Sequence, residues 1–265
     1  MPAVGLGTRK PRKPRQAYET VKAALAVGYR HLDSAARYNN EDQVGEAVRD
    51  SGLRREDIWV TTKVENAWHH HVAEPVDRSM AVLGFDYIDL PLVHWPIAVS
   101  LEEDPSTAMP SWEFTHTWQE MQRVLASGRV RNVGVSNFGI RNLKKLLSDP
   151  ACYVVPAVNQ IEVCVSCVLV MLTGFPSPPP PRSPSPAPAE FFSSCTPAVH
   201  ASVWWFCQKR GIHCTAYSPL AFELPQLHES AALAELCKRT SKTLLQILIV
   251  WGLRLLQVFL YSPLP

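Results

Sequence analysis

An excess of charge of either sign is nearly absent from this chain: 26 Lys and Arg stand against 24 Asp and Glu, a formal net charge of +2. So balanced a surface has no sustained positive field for holding nucleic acid or an anionic membrane, and neither is expected as a partner. A disulfide framework is lacking too, since the seven cysteines are odd in number and irregularly spaced. The opening residues Met1-Pro2-Ala3-Val4-Gly5 hold no apolar stretch of the secretory kind. Reduced thiols and a cytoplasmic location are the expectation. One apolar run is long enough to weigh as a membrane span, residues 244–260, but it contains Gln246, Gly252, Arg254 and Gln257. Polar groups like these are costly in lipid, and a buried helix running into a strand is the better reading.

What is present is a globular composition, 46% apolar and 19% charged, in 265 residues. Helical and strand-like patterns alternate. Ala17, Val21, Ala24 and Leu25 form a helical stripe before the short strand pattern of residues 29–33. Asn40 is placed to cap the next helix, with Gln43 in the capping-box position and Val44, Ala47 and Val48 on one face. Residues 58–63 are β-rich. Val72, Val76, Met80 and Leu83 then follow at helical spacing, before a strand over 87–94. Residues 130–135 and 156–162 read as strands around a helix over 140–147. Alternation of this kind implies a parallel sheet, and so many units favour a closed (β/α)8 TIM barrel, for which ~250 residues is typical. Pro91 fits poorly, because a proline inside a strand removes a ladder hydrogen bond.

The pattern lapses from 164 to 203, where residues 176–188 form a proline-serine tract. Such a tract lacks backbone donors and a face to pack, so an extended, solvated insertion is expected. The division is therefore a first part of the barrel over 1–163, a Pro-rich and disordered insertion over 164–203, and a last part over 204–265.

Polar residues at the ends of consecutive strand patterns carry the chemical signal. Asp33, Lys63 and His94 end three successive strands, and Tyr38 lies just past Asp33. In a (β/α)8 barrel these positions converge on the C-terminal mouth, where active sites lie. His69-His70-His71 invites a zinc reading, but three consecutive residues cannot all face one tetrahedral ion, and no cysteine or carboxylate set accompanies them. No metal is expected.

At this point the chain resembles the aldo-keto reductases. GYRHLDSAARYNNE over 28–41 leads into Val44-Gly45-Glu46-Ala47-Val48, and Thr61-Thr62-Lys63 and Val93-His94-Trp95-Pro96 follow in order. Gly134-Val135-Ser136-Asn137-Phe138, PAVNQIE over 156–162 and Ala216-Tyr217-Ser218-Pro219-Leu220 complete the series. The resemblance covers residues 2–163 and 206 to about 260, nearest the fungal-type aldehyde-reducing and glycerol-oxidising branch. It implies NADPH-dependent reduction of an aldehyde or ketone, by a monomer acting on small molecules.

It also implies roles. Tyr38 would be the proton donor to the carbonyl oxygen, Lys63 the ammonium beside it, Asp33 the partner of Lys63, and His94 the group that positions the carbonyl. A free phenol titrates at about 10, and an ammonium ~4 Å away at an effective dielectric of ~20 is worth about 4 kcal/mol, roughly three pKa units at most. Ser136, Asn137 and Gln160 would hold the nicotinamide carboxamide, Tyr217 would stack on its ring, Ser218 and Leu220 would lie near the pyrophosphate, and Thr8 near the ribose. No Gly-x-Gly-x-x-Gly turn suggests a Rossmann site instead. Trp95 and Trp68 would line an apolar substrate mouth, although either would serve as plain core. Arg9 stands where the family usually has a pocket tryptophan.

Two departures accompany the likeness. The family's helix start after Glu162 is replaced by residues 164–203, and Tyr261-Ser262-Pro263 stands in place of a Pro-Lys-Ser motif. The arginine that binds the 2′-phosphate is not met before Pro265. Charge-assisted hydrogen bonds are worth roughly 1.5–3 kcal/mol each, so a loss of two or three would weaken NADPH binding about a thousandfold. Two other readings follow: a catalytically impaired product of the same fold, and a scaffold that recruits a partner through its Pro-rich loop.

Overall fold

The computed structural model describes residues 1–9, 13–100, 109, 111–162, 197–218, 229–255 and 258–261, with secondary structure alone for 197–201 and 251–261. Eight parallel strands follow one another in sequence order around a closed barrel. They are β1 Val4–Gly7, β2 His31–Asp33, β3 Trp59–Val64, β4 Leu90–Val93, β5 Gly134–Ser136, β6 Val158–Glu162, β7 His213–Tyr217 and β8 Val258–Tyr261. The helices are α1 Gln16–Ala26, α2 Glu41–Asp50, α3 Ala73–Leu83, α4 Phe114–Ala126, α5 Ile140–Ser148, α6 Pro197–Gln208, α7 Ala231–Thr240 and α8 Leu244–Leu255. The ring is complete at its seam, where Val4, Gly5 and Leu6 pair with Phe259, Leu260 and Tyr261.

Apolar stripes place the helices. Tyr18, Val21, Ala24 and Leu25 of α1 are buried, as are Val44, Ala47 and Val48 of α2 and Val76 and Leu83 of α3. They form one continuous layer with Leu32, Val60, Val64, Val93 and Val135 from the strands. A smaller set, Leu90, Leu92 and Val158, forms a separate apolar cluster, with Leu92 in register with Lys63. The apolar run over 244–260 divides into α8 and β8. Among the described residues no helix is long and apolar enough to cross a membrane.

Several details differ from the sequence reading. Asn40 does stand at the N-cap of α2, but its side chain makes no capping bond; its Nδ2 donates instead to the Thr8 carbonyl at 2.8 Å. The Oδ1 that a cap would turn to the helix amides faces Ser34 instead, whose Oγ donates to it at 3.5 Å. The strand expected over 130–135 is reduced to Gly134–Ser136, with Val130 making only an isolated bridge to Ile88. Helix α6 begins at Pro197, inside the span assigned to the insertion. The part of that insertion before it, 164–196, lies outside the described residues.

Pro91 also has its account. The His94 amide donates to the Val64 carbonyl, so position 94 faces β3. The alternation of a strand then turns the Pro91 nitrogen towards β5. The β4–β5 register begins only at Leu92 with Gly134, so the missing donor falls short of the ladder.

Candidate active site

The strand ends bring most of the sequence-predicted residues to one mouth of the barrel. Lys63, inside β3, donates from Nζ to Asp33 Oδ1 at 2.5 Å and to the Ser34 carbonyl at 2.8 Å. Both charged side chains are almost wholly buried. Gln160 in β6 donates from Nε2 to the other Asp33 oxygen at 2.7 Å, crossing the barrel. Tyr38 ends a single 3-10 turn, Ala36–Tyr38, and the Lys63 ammonium lies 5.2 Å from the centre of its ring. The His94 ring meets that ring edge-on, with centroids 6.4 Å apart.

Electrostatics sort these groups. Burial is the largest single influence on Lys63 and opposes its charge, yet Asp33 and then Tyr38 outweigh it and hold its pKa above the usual lysine value. His94 goes the other way. Burial, then the positive fields of Lys63, Arg37 and Arg9, keep its imidazole well below the ordinary 6.5. At neutral pH the site therefore presents an ammonium and an uncharged imidazole, both beside the Tyr38 ring.

A second set adjoins the first across β5, β6 and β7. Ser136 donates from Oγ to the Gln160 carbonyl at 3.0 Å. Asn137 donates from Nδ2 to the His94 carbonyl at 2.9 Å and to Ser136 Oγ at 3.2 Å. The Tyr217 hydroxyl donates to Asn137 Oδ1 at 2.9 Å. Asn137 and Ser218 both adopt left-handed backbone, φ 64° and 53°. For non-glycine residues such conformations are uncommon and collect at functional sites. Thr8 sits beside Asp33, its Oγ1 3.2 Å from the Asp33 carbonyl and 3.1 Å from Ser34 Oγ.

Not every residue fits equally. Trp68 packs against the main apolar layer, which favours its core reading. Trp95 is half-buried next to His94. Leu220 lies outside the described residues. One participant carried no signal in the sequence: Ser34 acts on Lys63 through its backbone carbonyl, which any residue has. Gln160 was expected at the carboxamide, but its bond to Asp33 across 127 positions was not.

A parallel (β/α)8 barrel with a buried Asp–Lys pair beside a tyrosine and a neutral histidine at its mouth is an enzyme-like arrangement, and the comparisons agree on its class. The aldo/keto reductase family model matches residues 3–169. Glycerol 2-dehydrogenase (NADP(+)) of Saccharomyces cerevisiae is 36% identical over 95% of this chain and 75% of its own length. An aldehyde reductase of the same yeast is 33% identical over 96% of this chain and 76% of its own. The crystal structure of a Bombyx mori aldo-keto reductase in complex with NADP superposes with a TM-score of 0.78 at 28% identity, over 99% of this chain and 80% of that one. The chain belongs to the aldo/keto reductase family.

Proposed function

We propose that this protein reduces an aldehyde or ketone to the alcohol, with NADPH as the hydride source and Tyr38 as the proton donor. One observation carries the reading: a buried ammonium, Lys63, neutralised by Asp33 and lying against the face of Tyr38. An ammonium so placed favours the phenolate that proton donation leaves behind. His94, uncharged because burial and Lys63 disfavour its protonation, offers a ring N–H to the carbonyl oxygen without competing as an acid. Polarising that oxygen and protonating it are general acid catalysis, worth 10²–10⁴-fold in typical cases.

The residues present fit a nicotinamide. Its carboxamide needs both donors and acceptors, and Ser136, Asn137 and Gln160 supply both kinds within one connected group. Tyr217, bonded to Asn137, brings an aromatic ring to that group. When bound, the reduced nicotinamide would deliver hydride to the carbonyl carbon. Ser136 and Asn137 would hold the carboxamide, Tyr217 would turn its ring towards the nicotinamide, Thr8 and Ser218 would lie along the ribose and phosphates, and Trp95 would border the substrate.

The test is NADPH oxidation followed in the presence of aldehydes, with NADPH binding measured separately by fluorescence titration. Wild-type protein is expected to bind NADPH and oxidise it only when aldehyde is present. Tyr38→Phe should bind NADPH comparably while losing at least ~10²-fold in turnover, the lower range for a general acid. A titration with no response would overturn the assignment and favour the impaired or scaffold reading.

A further inference from the structure

We infer that Glu41 is a positioning residue: its buried carboxyl ties the first turn of α2 to β3 and α3, and thereby fixes the turn that holds Tyr38 against Lys63. This deepens the reading of Tyr38 as proton donor and rests on it. Glu41 opens α2 three residues after Tyr38 and is only 5% exposed. A carboxyl in such a place is costly unless hydrogen-bonded. It is bonded on both sides. Oε1 accepts from Thr62 Oγ1 at 2.5 Å, and Oε2 accepts from Ser79 Oγ, in α3, at 2.9 Å. Burial raises its pKa, and the two hydroxyls offset part of that shift.

Thr62 immediately precedes Lys63 in β3. Alternation along the strand sends their side chains to opposite faces of the sheet, so Glu41 holds the helix side of the strand whose other face carries the ammonium. The Tyr38 turn has only short-range backbone bonds of its own: the Tyr38 amide to the Ala35 carbonyl at 2.9 Å and the Asn39 amide to the Ala36 carbonyl at 3.2 Å. Asn39 then reverses the chain in left-handed backbone. Long-range restraint enters on both sides of the turn: before it, the Ser34 amide donates to the Thr61 carbonyl at 2.8 Å and the Ser34 carbonyl accepts from Lys63; after it, Asn40 holds Thr8 and Glu41 holds Thr62 and Ser79. A helix start that slid on β3 would carry the phenol away from Lys63.

The experiment combines amide hydrogen exchange with steady-state kinetics on the full chain, for Glu41→Ala, Glu41→Gln and the pair Thr62→Val with Ser79→Ala. Glu41→Ala and the paired variant should speed exchange of the Tyr38 and Asn39 amides by about tenfold or more, as a local opening, while β6 and β7 keep their protection. In the same variants kcat should fall more than KM rises, and the pH profile of kcat should move. Glu41→Gln should restore most of both. Unchanged exchange in the turn would overturn the inference, as would a lower melting temperature with kcat and its pH profile unaltered. If Glu41→Ala fails to fold, the paired variant decides. Wild-type protein without turnover would count against the reductase reading alone, because the exchange measurement still decides the role of Glu41.

Discussion

Lys63 and His94 are driven to opposite charge states by the same small volume. Each suffers burial first, but Lys63 has a carboxylate within 2.5 Å, whereas the nearest charges acting on His94 are positive. The consequence is measurable. Because the His94 pKa is lowered well below 6.5, protonation of this ring is displaced to more acid pH, and kcat/KM for carbonyl reduction should show no acid limb centred near 6.5. The check is a pH–rate profile from pH 5 to 9. A limb with its midpoint at the free-imidazole value would mean that His94 is solvated and not part of the site. At this scale the sequence was informative for side chains at or within one residue of a strand end, since Asp33, Lys63 and His94 needed only the strand period and the barrel rule to be grouped. It was silent on partners made by backbone. Ser34 contributes a carbonyl, and the Asn40 side chain went to another carbonyl, that of Thr8, against the expectation of a helix cap.

At the scale of elements, the close approach of α2 and α3 depends on Gly45. A Cβ built there would lie 1.9 Å from the Leu83 carbonyl oxygen and 2.8 Å from its Cα, both backbone atoms that cannot step aside. Helix propensity alone says the reverse, since Gly→Ala in a helix interior is stabilising by roughly 0.8–1 kcal/mol. Contact wins here, and Gly45→Ala should destabilise the protein by about 1–3 kcal/mol or more, the usual range for overpacking. A lower urea midpoint confirms this; a raised one would show that the two helices separate freely. The sequence displayed this glycine inside a motif without giving its reason, because the reason is a neighbour 38 positions away. Helices and strands were otherwise legible wherever one face is apolar. The strand over 130–135 was overread: its apolar residues are buried around a bend, so burial was right and the ladder was not. Pro91 looked incompatible only while the register of β4 with β5 was unknown.

At the scale of the whole molecule, the barrel encloses ionisable groups whose pH effects oppose one another. His31 is buried between the Pro2 carbonyl and Thr61 Oγ1, and its pKa is pushed down to about 4, mainly by burial. His69 is wholly buried, neither ring nitrogen has a hydrogen-bond partner among the described residues, and burial pushes it down to about 3. Unfolded, both would titrate near 6.5. Below that value the unfolded chain binds more protons than the folded one, so stability is lost as pH falls, by up to about 1.4 kcal/mol per pH unit for each histidine. Glu41 and Glu65 act in the opposite sense, because burial raises their pKa values in the folded state and acid therefore favours it. The net slope mixes these signs, whereas a comparison of variants isolates one of them. His69→Gln removes a single titrating group and leaves the carboxyls in place. Denaturant unfolding at pH 7 and pH 5 should therefore show the variant gaining on the wild type by roughly 2 kcal/mol between the two, the linkage expected of one buried imidazole over that interval. Equal shifts in both proteins would mean that His69 is protonated in the folded barrel and is held by water or by a charged neighbour.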